Sequence, residues 1–394
     1  MRRKATIVFG AAIFALFCIS IAGAQDEQWL QYHSEREADR IVGDMTSARP
    51  SFFTKPSEDI QLPQARAAEP YFAKWSTPMV DSGFLWMAVD RTSKSGPWDR
   101  LFIDSNANGR LDDETAVAAH RTSGSYAYFG PVKVVFEIED GPVSYHLNFR
   151  VYSSGNQVRR VYAYSGGWYE GEITVAGRRM YSTLIDYNAN GTFNDASPEP
   201  RSCDRIRIGK RGTRDTGYVG KYIEVDNTLF RIEIARDGAF IKLAKAEDVT
   251  FGEVRVPETI AEFSAGGENG LFTRKPDKGL ASLPVGEYRV NSWSIERKDD
   301  KGMKWQLQGR YFNQGGDFEV TEGTETSLEI GEPVKASLNV RQHGDNFEFS
   351  KVLRGSLGEY VNLIRAGRDV RDLWKMEGKN KEGTFAKLYP MPDQ

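Results

Sequence analysis

Two cysteines and four histidines in 394 residues close off several chemistries at once. Cys18 lies in an apolar leader, so Cys203 is the one thiol expected in the exported chain, and no intrachain disulfide can form. The histidines, His33, His120, His146 and His343, are scattered, and no His-Glu-x-x-His zinc helix occurs. There is no G-x-S-x-G nucleophile elbow, since Gly355-Ser356-Leu357-Gly358 has the wrong spacing. Gly220-Lys221 fails as a phosphate loop, because Asp215 stands at the required first glycine and Tyr222 at the Ser/Thr. Charge of one sign is not in excess either, with 52 basic against 55 acidic side chains.

The one long apolar run opens the chain. Met1-Arg-Arg-Lys precedes twenty uncharged residues, Ala5 to Ala24, and Ala22-Gly23-Ala24 before Gln25 fits a cleavage site. Residues 1–24 therefore read as a secretory signal peptide. The alternative is an uncleaved anchor just long enough to span a bilayer. Cleavage would leave 370 residues and move the net charge from −3 to −6, which argues against nucleic acid as the main partner. No membrane span is expected after cleavage. The expected location is secreted, periplasmic or at the cell surface. An exported chain without disulfides needs a large core or metal staples.

Strand patterns dominate the rest of the chain. Residues 25–75 are the least legible and read as an extended or short helical segment. Its Phe52, Phe53 and Tyr71 are expected to pack on the next unit. Val132, Val134, Phe136 and Ile138 alternate with polar residues, as do Val143, Tyr145, Leu147, Phe149 and Val151, which predicts a half-buried hairpin. Leu85–Val89, Arg100–Ile103, Tyr181–Ile185, Tyr222–Val225, Leu229–Ile234 and Ala239–Leu243 complete an antiparallel β domain over 76–248. A second β domain is expected over 249–342, with alternation at Met303 to Gln308 and Val334 to Arg341. Residues 343–394 either extend it or form a small third unit. The fold class is all-β and multidomain.

Two loops carry the clearest chemistry. Ile103-Asp104-Ser105-Asn106-Ala107-Asn108-Gly109-Arg110-Leu111-Asp112-Asp113 returns as Ile185-Asp186-Tyr187-Asn188-Ala189-Asn190-Gly191-Thr192-Phe193-Asn194-Asp195. Side-chain oxygens at positions 1, 3 and 5, a glycine at 6 and a carbonyl at 7 supply most ligands of a hard cation. Asn-Gly also marks a tight hairpin turn, but no alternating strand follows either copy. The loops resemble those of EF-hand, dockerin and thrombospondin-type calcium sites. That resemblance implies a structural calcium held by Asp104, Asn106, Asn108 and Arg110, and by Asp186, Asn188, Asn190 and Thr192. It departs at position 12, where Thr115 and Ser197 replace the bidentate glutamate. Closure then falls to position 9 or 10, which are Asp112 or Asp113 in the first loop and Asn194 or Asp195 in the second. By acid count the first loop is expected to bind better.

Leu283-Pro-Val-Gly-Glu-Tyr-Arg-Val290 is similar to a turn-into-strand phrase of prealbumin-like and other immunoglobulin-like sandwiches, which implies such a sandwich in the C-terminal part. The chain as a whole resembles secreted bacterial β-rich proteins. Trp168 and Tyr169, between Gly166-Gly167 and Glu170-Gly171, are the candidate sugar-stacking pair, although core packing is the commoner role of such residues. Arg205, Arg207, Lys210, Arg211, Arg214 and Lys221 form a basic stretch that the surrounding mixed charge assigns to a solvated face rather than to an anion site. The expectation is a calcium-binding, non-catalytic binding or structural module of the cell envelope or extracellular space, with a glycan or an envelope protein as partner. The alternatives are a secreted hydrolase of envelope polysaccharide, working through carboxylates that no motif singles out, and a scaffold that binds protein alone.

Overall fold

A computed structural model describes residues 26–54, 60, 69–93, 95–139, 141–312, 315–344 and 346–370. The leader and the residues after 370 fall outside this set. The fold is all-β, with one four-residue helix, Ala38–Ile41, among the described residues.

Alternation sets the central hairpin. Tyr126–Ile138 and Gly141–Ser154 pair antiparallel, with Gly141 opposite Ile138. Val132, Val134 and Phe136 point inward with Tyr145, Leu147, Phe149 and Val151, while Lys133 and Glu137 stay exposed. Two strands flank this hairpin, and three further antiparallel sheets contribute to the same core. One runs Ser51–Phe53, Tyr71–Ser76, Phe84–Asp90, Arg100–Ile103, Val117–Ala118. The next runs Gly217–Tyr218, Arg205–Gly209, Arg178–Ile185, Gly167–Val175, Gln31–Ser34. The last joins Tyr222–Val225, Thr228–Ile234 and Phe240–Lys245 to Gln28–Trp29. Trp75, Phe129, Phe136, Tyr145, Phe149, Leu184 and Phe193 meet at the centre. Burying each aliphatic or Phe side chain contributes about 1.5–3 kcal/mol, which is how a core this size does without disulfides.

The beginning of the described chain is therefore not a free-standing extended segment. Gln28–Trp29 and Gln31–Ser34 are strands of two different sheets, and Phe52 and Tyr71 pack on the first core.

A second core lies between a three-stranded sheet (Leu280–Pro284, Phe251–Arg255, Glu325–Ser327) and a larger antiparallel one. In the smaller sheet, Phe251–Arg255 and Glu325–Ser327 run parallel. The larger sheet takes Gly270–Arg274, Ile260–Gly267, Gly286–Lys298, Lys304–Arg310, Tyr360–Arg365, Asn346–Arg354 and Lys335–His343 in order. Residues 346–370 thus extend this sheet. The phrase at 283–290 is the corner where the chain leaves one sheet for the other, and Tyr288 Oη donates back to the Pro284 carbonyl at 2.8 Å. Thr228–Ile234 serves both cores: Leu229 faces the second, Phe230 and Ile234 the first.

Candidate functional site

Both loops begin where a core strand ends. Asp104 follows Arg100–Ile103 and Asp186 follows Arg178–Ile185, and both carboxylates are buried. A buried carboxylate must be hydrogen-bonded, and here the next turn of backbone supplies the donors. Asp104 accepts the N–H groups of Asn108 at 2.9 Å and Gly109 at 2.8 Å. Asp186 accepts those of Ala189 at 2.7 Å, Asn190 at 3.4 Å and Gly191 at 2.8 Å. Curling the chain this tightly requires positive φ at positions 4 and 6. Ala107 and Ala189 lie at 56° and 58°, and Gly109 and Gly191 at 82° and 98°.

The asparagines repeat the scheme. Asn106 and Asn188 accept the N–H of position 5, and Asn108 and Asn190 that of position 7. Their amide nitrogens converge on one oxygen of the position-10 carboxylate. Asn106 and Asn108 reach Asp113 at 3.3 and 2.7 Å, while Asn188 and Asn190 reach Asp195 at 2.9 and 2.6 Å. The structure thereby brings together positions 1, 3, 5 and 10. Position 9 is left out: Asp112 pairs with the exposed Arg110 side chain, and Asn194 is exposed. Thr192 Oγ1 donates to Asn190 at 2.8 Å and to Asp195 at 3.0 Å.

The loops differ in depth. The first sits at the surface, with Glu114 bonded to Ser105 at its base. The second is built into the first core. Ala189 is fully buried and its carbonyl accepts Trp75 Nε1 at 2.8 Å; Tyr145 Oη donates to Asp186 at 2.7 Å. Asp204 ties the loop's two ends, accepting the N–H of Tyr187 at 3.0 Å and of Asp195 at 2.9 Å. The ten-residue spacing points to neither Tyr145 nor Asp204. The acid count that favours the first loop omits Asp204, whereas the structure gives the second loop two fully buried carboxylates and Asp195 beside them.

The electrostatics follow from depth. Burial pushes the Asp186 carboxyl up to about 6, against the lowering effect of Tyr145 and the backbone donors. Burial, then Asp186 and Asp195, holds Asp204 well above the carboxylate range. Asp104 is raised by burial, with Glu114 and Asp113 adding to it, while Asp113 is lowered by the Asn108 amide. Among the described residues no three His, Cys, Asp or Glu side chains form a ready ligand set, so a cation here depends on amide and main-chain oxygens as well.

Other candidates fare differently. Trp168 and Tyr169 are core residues of the strand Gly167–Val175 and offer no face to a sugar. Trp168 stacks on His33 and contacts the Ala38–Ile41 helix region; Tyr169 packs on Tyr32 and Phe193. The neighbouring Gly167 is needed because Tyr32 lies against its backbone, where a Cβ would come within 2.3 Å of the hydroxyl. The basic stretch is not a solvated face throughout. Arg205 and Arg207 are buried, with guanidiniums on main-chain carbonyls and, for Arg207, on Asp44. Cys203 is buried, donates to the Ser197 carbonyl and has its thiol pushed up to about 11 by burial, the profile of an inert residue. Comparison with family models, curated proteins and solved structures finds no match for this chain.

Proposed function

We propose that the protein is an exported β module in which calcium, bound at the two loops, fastens strand ends in place of disulfides. The carrying observation is that two loops far apart in sequence fold to one hydrogen-bond scheme, down to left-handed alanine at position 4 and convergence on position 10. The donor set suits a hard cation: Asp104, Asn106, Asn108, the Arg110 carbonyl and Asp113, and Asp186, Asn188, Asn190, the Thr192 carbonyl and Asp195. A cation there takes over from the asparagine amide hydrogens as the positive partner of the position-10 carboxylate. This reading makes the loops structural and the protein a binding or scaffolding element of the envelope or extracellular space. It leaves no role for Asp186 and Asp204 in glycoside hydrolysis, because both are sealed inside the fold.

Thermal unfolding of the full chain in excess EDTA and in millimolar calcium tests it. A ligand at 100 times its dissociation constant stabilises by about 2.7 kcal/mol, which moves a domain of this size by roughly 5–11 °C. Asp186→Ala should remove more of the shift than Asp104→Ala, since the second loop holds more carboxylate and lies deeper. Coincident melts would reduce both loops to turns closed by their own amides. Release of products from an envelope polysaccharide panel would favour the hydrolase reading instead.

A further inference from the structure

Where the two cores meet, the surface opens into a cleft of about 770 Å³. Its walls carry five guanidiniums, those of Arg201, Arg205, Arg214, Arg289 and Arg310, against the carboxylates of Asp44 and Glu199. The junction that shapes it is closely fitted. Tyr218 Oη donates to Asn291 at 2.7 Å, Arg289 pairs with Glu199 at 2.8 Å, and the backbones of Gly220 and Gly270 touch so closely that a Cβ on Gly220 would lie 2.3 Å from Gly270 nitrogen. The cleft is preformed.

Three features set it apart from an ordinary charged surface. Arg205 is 6% exposed and lies between the rings of Tyr187 and Tyr218, at 3.7 and 4.1 Å, with its hydrogen bonds going to the carbonyls of Pro200, Cys203 and Asp204. Burying a guanidinium on carbonyl oxygens alone leaves its charge uncompensated, which is costly unless an anion visits it. The guanidiniums of Arg201 and Arg310 are exposed and make no hydrogen bond or ion pair among the described residues. Tyr311 is 67% exposed and holds φ at 60°, a left-handed conformation that a bulky residue rarely adopts without cause.

We infer that this cleft binds an acidic oligosaccharide. Guanidiniums spread along the walls suit anionic groups on successive sugars better than a single phosphate. The volume is that of a multi-ring ligand. Tyr311 offers an exposed ring at the mouth, and Asn291, Ser292 and Thr216 offer hydroxyl and amide partners. Single-stranded nucleic acid fits less well, because it needs a series of open aromatic platforms. Here Tyr218 is already buried under Arg205. The inference deepens the binding-module reading but uses no property of the calcium loops, so melts and binding measurements fail independently.

The test is calorimetric titration of the full chain with hexagalacturonate, a heparin-derived hexasaccharide, maltohexaose and single-stranded DNA. Binding of hexagalacturonate that weakens with salt is expected, and Arg201→Ala and Arg310→Ala should each cost about tenfold in affinity. Preference for the heparin-derived ligand supports the same cleft with sulfate as the anion. Glu199→Gln should tighten binding by releasing Arg289. Tyr311→Gly should weaken it while leaving the melting temperature unchanged or higher, which a merely structural tyrosine would not do. Equal binding of maltohexaose, tighter binding of DNA, indifference to the arginine substitutions or no binding at all would each overturn the assignment.

Discussion

Tyr145→Phe is the sharpest probe of the second loop. The substitution removes one oxygen from a fully buried site without opening a cavity beyond it, and leaves the ring stacked on Trp75 at 5.8 Å and 12°. What is lost is the 2.7 Å hydrogen bond to Asp186. Hydrogen bonds to a charged group contribute about 1.5–3 kcal/mol, while neutral pairs contribute about 0.5–1.5. Because the Asp186 carboxyl is pushed up to about 6, the same substitution samples both regimes. At pH 8 the carboxylate is ionised and the loss should be about 1.5–3 kcal/mol, or roughly 3–12 °C in melting temperature. At pH 5 it is protonated and the loss should fall by about half. Melts of both proteins in EDTA at the two pH values read this directly. A shift of equal size at pH 5 and pH 8, or none at pH 8, would show that Tyr145 does not stabilise an ionised Asp186.

Glycine substitution should separate the loops by their depth. Gly109→Ala meets open space at φ 82° and costs only the left-handed penalty of about 1–2 kcal/mol, whereas Gly191→Ala also presses on Thr77, Met79 and Trp75 and should cost clearly more by denaturant titration. Acidity should stabilise the cation-free protein over one window. A carboxyl raised in the folded state binds more protons there than in the unfolded chain, so its contribution grows as pH falls from about 7 to 5. Carboxylates depressed by partners, such as Asp44 and Glu325, lose theirs only below about 4. Melts in EDTA at pH 7.5 and 5 should show the gain, and Asp186→Asn should abolish most of it. The calcium-induced shift should shrink over the same interval, as protons and cation compete for Asp186.

The sequence is informative wherever the signal is local. Arg100–Ile103 and Tyr222–Val225 read with the bounds they have in the structure, because alternation and turn residues mark a strand without reference to its partner. The loops are legible for the same reason, their oxygens being spaced within ten residues. Non-local contacts leave no such mark. Asp204 reaches the second loop only because Ile185 pairs with Arg205 across two strands, and Tyr145 comes from another sheet. Trp168 and Tyr169 mislead because glycines that admit Leu30 and Tyr32 look, in one dimension, like those of a flexible loop. The cleft is invisible in one dimension too, since its arginines come from segments some hundred residues apart.

The pairing of Gln31–Ser34 with Gly167–Glu170, and of Gln28–Trp29 with Phe240–Ile241, has a kinetic consequence. A chain that crosses a membrane or leaves a ribosome from its N-terminus presents these two strands first. Their partners arrive more than a hundred residues later, and contacts of such long range close slowly. Until then two short strand edges stand unpaired, open to the wrong neighbour. The earliest segment to emerge is thus among the last to be satisfied, and it acts as the latch that completes both sheets.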